Sequence, residues 1–296
     1  MNKKITNSKH LILSGILIVL VSVFGNTFAQ ESNPFDFVNA EKELLVLADE
    51  LLQVRFDDEL LDSLNLKLEK KLKYTLEQQN AFDYPFDSLS AISQLVSDDK
   101  LLRIFTWHRV KANGTHHHSG FIQYYHKPKK EVLLFQLNDF SDSIPEPANQ
   151  TLSYDYWFGA TYYDMVSVEI NGETNYTLIG WDGNDLHSNK KVIDLLYFSA
   201  NGKPRFGKPV FVADRYRSKR IVFEYSRMAT MMVKWEAGRK QIVFDHLAPT
   251  EPVYQGNHKF YGPDLSYDAF EFREGLWHYV SAIDYKMEAP KKKYFR

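Results

Sequence analysis

The sequence predicts a mainly β protein, an antiparallel meander arranged as a sandwich, barrel or propeller-like sheet, with a two-helix N-terminal arm. Three observations carry this. Apolar residues recur at three- and four-residue spacing up to about Gln79, then at every second residue from Leu101 onward. Short alternating segments follow at roughly ten-residue intervals with no helix between them. Turn dipeptides such as Asn113-Gly114, Asn171-Gly172, Asp182-Gly183 and Asn201-Gly202 join them. Finally, aromatic residues make up 15% of the chain, and these are the residues that pack best across strand pairs.

Residues 1–29 read as a secretory signal peptide. Lys3, Lys4 and Lys9 form a basic leader, Leu11 to Phe24 an apolar stretch, and Thr27-Phe28-Ala29 a small-residue cleavage site, giving a mature chain that begins at Gln30. The apolar stretch, about 14 residues, falls short of the roughly 20 needed to span a bilayer. The expectation is therefore an exported protein, periplasmic or extracellular, with no membrane span after cleavage.

Residues 30–98 form the helical arm. Leu44, Leu45, Leu47, Ala48, Leu51 and Leu52 make one apolar stripe, and Leu60, Leu61, Leu64, Leu68 and Leu72 a second. The break lies near Arg55–Asp58, where Asp57 or Asp58 can cap the second helix. Residues 99–296 form the β domain. Its expected strands are 101–110, 120–126, 132–137, 161–170, 176–181, 191–198, 209–213, 220–225, 230–235, 241–246, 267–272 and 276–283. Ser141–Gln150, with Pro145 and Pro147, is a loop.

Composition excludes several functions. The chain has no cysteine, which removes thiol catalysis, Cys-ligated zinc and a lipid-modified cysteine. Loss of the leader takes the formal charge from −2 to about −5, and no long basic block is present, so nucleic acid is not an expected partner.

The motifs that could carry chemistry are few. His116 and His118 have the H-x-H spacing of some zinc sites. A two-residue turn at Asn113-Gly114 would set them opposite Lys111 and Arg109, among cations, so no metal or other cofactor is expected. Asp182-Gly183-Asn184-Asp185 lacks the glutamate that closes a calcium loop. Ser97-Asp98-Asp99-Lys100 matches S-x-x-K but opens a strand, where a Lys does not lie one helical turn from the Ser. Asp245 and His246 are adjacent on a strand and should face opposite ways. Asp164, Glu169, Glu224, Asp245, Asp268 and Glu271 supply carboxylates suited to glycoside hydrolysis, although sequence does not say which pair is close.

One segment stands apart. Tyr154, Tyr156, Trp157, Phe158, Tyr162 and Tyr163 crowd around Gly159. If exposed, Tyr156, Trp157, Tyr162 and Tyr163 form a stacking platform for a glycan or peptide; the alternative is core packing at a strand entrance.

The runs Phe82-Asp83-Tyr84-Pro85-Phe86-Asp87-Ser88-Leu89 and Ser97 to Trp107 resemble uncharacterised exported proteins of Bacteroidota-type bacteria. So do Gly180-Trp181-Asp182-Gly183-Asn184 and Phe206-Gly207-Lys208-Pro209-Val210-Phe211. That resemblance implies a lineage and an envelope or extracellular setting, and no activity. Asp62-Ser63-Leu64, Asp87-Ser88-Leu89 and Asp142-Ser143-Ile144 also resemble the Asp-Ser/Thr-aliphatic O-glycosylation acceptor of that lineage. The functional expectation is a non-catalytic binding or structural component, with a hydrolase acting on glycan or peptide as the alternative.

Overall fold

The computed structural model describes residues 35–286; the predicted signal peptide and its cleavage site lie outside them. Two helices come first, α1 (Phe37–Gln53) and α2 (Asp58–Leu76). Asp36 caps α1 by accepting from the Asn39 amide, and Asp57 caps α2 by accepting from Leu60. Sixteen strands follow. They are β1 (Ser93–Val96), β2 (Leu102–Val110), β3 (His116–His126), β4 (Glu131–Asn138), β5 (Leu152–Ser153), β6 (Thr161–Ile170), β7 (Glu173–Asp182) and β8 (Ser188–Phe198). The second half holds β9 (Pro204–Phe206), β10 (Phe211–Ala213), β11 (Tyr216–Ser218), β12 (Arg220–Ser226), β13 (Val233–Glu236), β14 (Gln241–Pro249), β15 (Tyr261–Arg273) and β16 (Leu276–Val280).

The protein is mainly β, as predicted, and its strands form three sheets, none a closed barrel. The first is the meander β1-β2-β3-β4. The second runs β5-β9-β8-β7-β6, with β12 also on β8, and the third runs β11-β10-β16-β15-β14-β13. All pairings are antiparallel except β10 with β16, where Phe211 lies beside Trp277. β1 begins inside the segment assigned by sequence to the helical arm.

Side-chain parity explains how the sheets stack. On β2, Leu102 and Ile104 face one core while Phe105 and Trp107 face another. The Phe105 face, with Phe121 of β3, is covered by Leu44, Leu51, Leu64, Leu68 and Leu72 of the two helices. The Ile104 face packs on Tyr176, Leu178 and Val192 of the second sheet and on Trp157 of the segment between β5 and β6. The other face of that sheet, carrying Ile179, Ile193 and Leu195, packs on Phe211, Ile242, Phe270 and Trp277 of the third. The inner strands are thus buried on both faces and read as near-continuous apolar runs. Burying roughly 25 cal/mol per Å² of apolar surface on several faces replaces the missing disulfides. Among the described residues no helix is long and apolar enough to cross a membrane.

Within the second sheet, Arg220 and Asp194 are fully buried as an ion pair, Nε to Oδ2 2.6 Å. Arg220 also donates to the Pro147 carbonyl at 2.7 Å, which ties the 141–150 loop to the sheet.

Candidate functional site

A cavity of about 610 Å³ opens between β12 of the second sheet and β14–β16 of the third, with the 141–148 loop as a further wall. Ile144, Pro147, Val222, Phe223, Phe244 and Leu247 give it apolar surface. Its polar groups are Lys190, Glu224, Asp245, His246, His258, Asp268 and Tyr279.

A β-bulge builds the polar end. Pairing steps from Asp245↔Tyr267 to Leu247↔Pro263, leaving His246 opposite three unpaired residues, Asp264 to Ser266. Asp264 holds the bulge by accepting from the Ser266 amide (3.0 Å) and hydroxyl (2.6 Å). Asp245 and His246 both line the cavity, His246 on the side of Phe244 and of Asp268, the register partner of Phe244.

The partner of His246 is Asp268, from the neighbouring strand. The His246 Nδ1–H donates to the Asp268 carboxylate at 2.7 Å, and the Tyr279 hydroxyl donates to the same oxygen at 2.7 Å. The other Asp268 oxygen accepts from the Ala282 amide at 2.9 Å. Asp268 is buried, whereas the His246 side chain is 43% exposed, so its Nε2 edge is the reachable one. The hydrogen bond to Asp268 raises the His246 pKa, against the pull of burial, and Asp264 adds to the rise. Burial first, then Asp268, raises the Tyr279 hydroxyl well above its ordinary value. Asp245 is pushed up by burial and accepts from the Met232 amide at 2.7 Å. Glu224 accepts from Ser188 (2.7 Å) and Lys190 donates to Asn184 (2.5 Å). The Ser141 hydroxyl, also lining the cavity, donates to Asp139 at 2.6 Å and is not held by the histidine. Glu224, Asp245 and Asp268 are thus gathered here, while Asp164, Glu169 and Glu271 do not line the cavity.

The histidine hairpin departs from its expected register. Lys111 and Thr115 close a three-residue loop in which Gly114 takes φ +83°, the bulged form of such hairpins. Strand pairs are therefore His108↔His118, Arg109↔His117 and Val110↔His116. The one-residue change reverses every facing. Arg109 and Lys111 turn outward to Asp62 of α2, at 3.1 and 2.6 Å. His108, His116 and His118 meet instead between the first and second sheets. The cation-flanked pairing inferred from sequence is corrected by this register.

In that cluster the His108 ring lies 5.2 Å from His116 and 6.0 Å from His118, centroid to centroid, and Trp181 stands edge-on to His108 and His116. His118 is fully buried between two acids, with Nδ1 3.3 Å from Asp139 and Nε2 3.8 Å from Asp182. Burial lowers His108 to about 3 and His116 to about 4, with the neighbouring histidines adding to both. Burial also opposes protonation of His118, but the hydrogen bond to Asp139 and the charge of Asp182 raise it overall. Among the described residues, no three His, Asp or Glu side chains already converge on one point at ligating distance.

The remaining motifs serve local structure. Asp182 accepts from the Asn184 amide (2.8 Å), Asp185 from His187 and Ser188 (2.7 and 2.9 Å), so the Asp182–Asp185 oxygens hold a turn. Ser97 bonds Asp99 and the Leu102 amide in the tight β1–β2 turn.

The aromatic segment is not an exposed platform. Trp157 and Tyr162 are fully buried and bonded to each other, indole N–H to hydroxyl at 3.0 Å. Tyr156 donates to the Ser143 carbonyl (3.0 Å), and Tyr163 to the Val233 carbonyl (2.8 Å). A bulge between Tyr162 and Asp164 sends Tyr162 to one core and Val166 and Val168 to the other, which leaves Tyr163 39% exposed at the crossover. Phe158 alone of the six reaches the cavity.

The His246–Asp268–Tyr279 group was missed because its members are 22 and 11 residues apart across strands. Gly262-Pro263, an unusual pair inside a strand, is the sequence signal that marks the irregularity. No protein-family model, curated protein or solved structure matches the chain.

Proposed function

We propose that the protein is an exported, non-catalytic binding component of the cell envelope or extracellular space, and that its glycan or peptide ligand sits in the cavity between the second and third sheets. The observation that carries the reading is the cavity's make-up. A volume of about 610 Å³ falls within the range of small-ligand sites, and apolar walls with a few convergent polar groups are the usual lining of such sites. Hydroxyls or amides of a ligand would find the acceptors Glu224 and Asp245 and the donors Lys190 and His246, with Phe223 and Phe244 as stacking faces. Binding is favoured over turnover because each acid is already engaged: Asp268 by three donors, Asp245 by a backbone amide, Glu224 by a hydroxyl.

The test is calorimetric titration of the mature protein with soluble oligosaccharides and short peptides. Saturable binding that weakens about two- to tenfold in Phe223→Ala is the expected result. Binding indifferent to both Phe223→Ala and His246→Gln would refute the placement. For export, the secreted product should begin at Gln30; a cell-retained chain keeping Leu11 to Phe24 would refute it.

A second reading, hydrolysis, has one observation in its favour. His246 is oriented by Asp268 with Nε2 left free, the arrangement of a base that could draw a proton from water. Turnover of a bound ligand, abolished in His246→Gln while binding persists, would establish this reading over the first.

A further inference from the structure

From the histidine cluster, independently of the cavity, we infer a binding site for one divalent transition-metal ion, ligated by His108, His116, His118 and Asp182. Buried polar atoms are almost always satisfied, and exceptions call for an unseen water or ion. Here three ring nitrogens in one place are buried without a partner: both nitrogens of His116 and Nε2 of His118. Left bare, each such group keeps its full desolvation penalty.

The spacing suits an ion. Two imidazoles on one tetrahedral zinc, with Zn–N of about 2.0–2.1 Å, hold their ring centroids about 5 Å apart. The observed separations are 5.2 Å for His108–His116 and 6.0 Å for His108–His118. Binding requires the rings to rotate, because no three donors converge as the side chains stand.

The supporting contacts also suit one. A metal-bound histidine usually gives its other nitrogen to a carboxylate or carbonyl, which fixes the ring and the tautomer. His118 gives Nδ1 to buried Asp139 and keeps Nε2 toward Asp182. His108 pairs Nδ1 with the Thr161 hydroxyl at 3.2 Å, which leaves its Nε2. Asp182 supplies an oxygen and a negative charge. Gly183 leaves room for the His116 ring, since a Cβ there would overlap it. Imidazole nitrogens with one carboxylate suit Zn²⁺, Co²⁺, Ni²⁺ or Cu²⁺ and not Mg²⁺ or Ca²⁺. The turn of Arg109 and Lys111 onto Asp62 of α2 pairs them with a carboxylate and so reduces the repulsion that the sequence register implied.

The experiment titrates chelator-treated protein with Zn²⁺, reading stoichiometry by calorimetry and elemental analysis and the melting temperature by circular dichroism. One Zn²⁺ per chain and a chelator-reversible rise in melting temperature are expected. Loss of an outer carboxylate partner typically weakens metal about 10- to 100-fold, so loss of a ligand in His116→Gln or His108→Gln should exceed about a hundredfold. His117→Gln, on the opposite face of the strand, should bind as the wild type does. No stoichiometric uptake by wild type, as a water-filled site would give, overturns the inference, as does equal uptake by His116→Gln. Should those variants fail to fold, cobalt(II)-loaded wild type decides. The strong visible bands of a four-coordinate ion support the site, and the pale spectrum of the hexa-aqua ion refutes it.

Discussion

Replacing Trp157 by alanine measures whether the aromatic segment is core. The indole is fully buried, lies within 6.4 Å of the His118, Tyr162 and Phe206 rings, and donates its N–H to the Tyr162 hydroxyl at 3.0 Å. Truncating a buried Trp costs about 3–5 kcal/mol in lost transfer energy and cavity formation. Orphaning the buried Tyr162 oxygen adds up to about 1–3 kcal/mol. For a domain of this size each kcal/mol shifts the melting temperature by about 2–4 °C, so the truncation alone should lower it by roughly 6–20 °C. Trp157→Phe, which keeps most of the ring and loses the N–H, should cost markedly less. Thermal melts followed by far-ultraviolet circular dichroism, with urea titrations as a second measure, report both. A Trp157→Ala melt within about 2 °C of wild type would refute the packing argument and restore the segment as a ligand platform.

Three further outcomes follow from the geometry. Asp194→Asn leaves the Arg220 guanidinium buried without its counter-charge and should cost about 3–5 kcal/mol by urea denaturation, whereas replacing both residues with apolar ones should cost less; equal losses would refute the pairing argument. Gly183→Ala sets a methyl into the His116 ring and should destabilise by about 1–3 kcal/mol in the same assay, and a neutral result would mean the loop does not sit on His116. His246 gains Asp268 on folding, so its folded pKa lies above the unfolded value near 6.5, and its stabilising contribution is full below that value and lost as pH rises through the folded pKa. With Asp264 and Asp268 beside it and Lys190 and His258 across the cavity, the urea midpoint advantage of wild type over His246→Gln should shrink as pH rises above 6.5 and through the raised folded pKa; an advantage that grows with pH refutes the assignment.

Local periodicity made the elements legible. Thr161–Ile170 was read with the bounds it has, and most other strands within three residues, because alternation and turn chemistry are properties of neighbours in the chain. Asp57 as a helix cap and the two leucine stripes follow for the same reason. The short strands β1, β5, β9 and β11 carry too few residues to show a period.

What the sequence by itself determined is the fold class, the helices, the cysteine-free core and where most turns fall, though not their lengths. The tertiary structure decided the sites, because each depends on register. A three-residue loop in place of a two-residue one moved His116 and His118 from a cationic surface to a buried cluster with His108. A bulge at His246 broke the register between β14 and β15, and a strand partner 22 residues away became its carboxylate. Likewise the stacking of three sheets, which takes both faces of the inner strands out of water, buried Trp157 and Tyr162 and left the cavity where the second and third sheets part. Residue type is written locally, but which face a residue presents, and to whom, is fixed only when strands far apart in the chain pair.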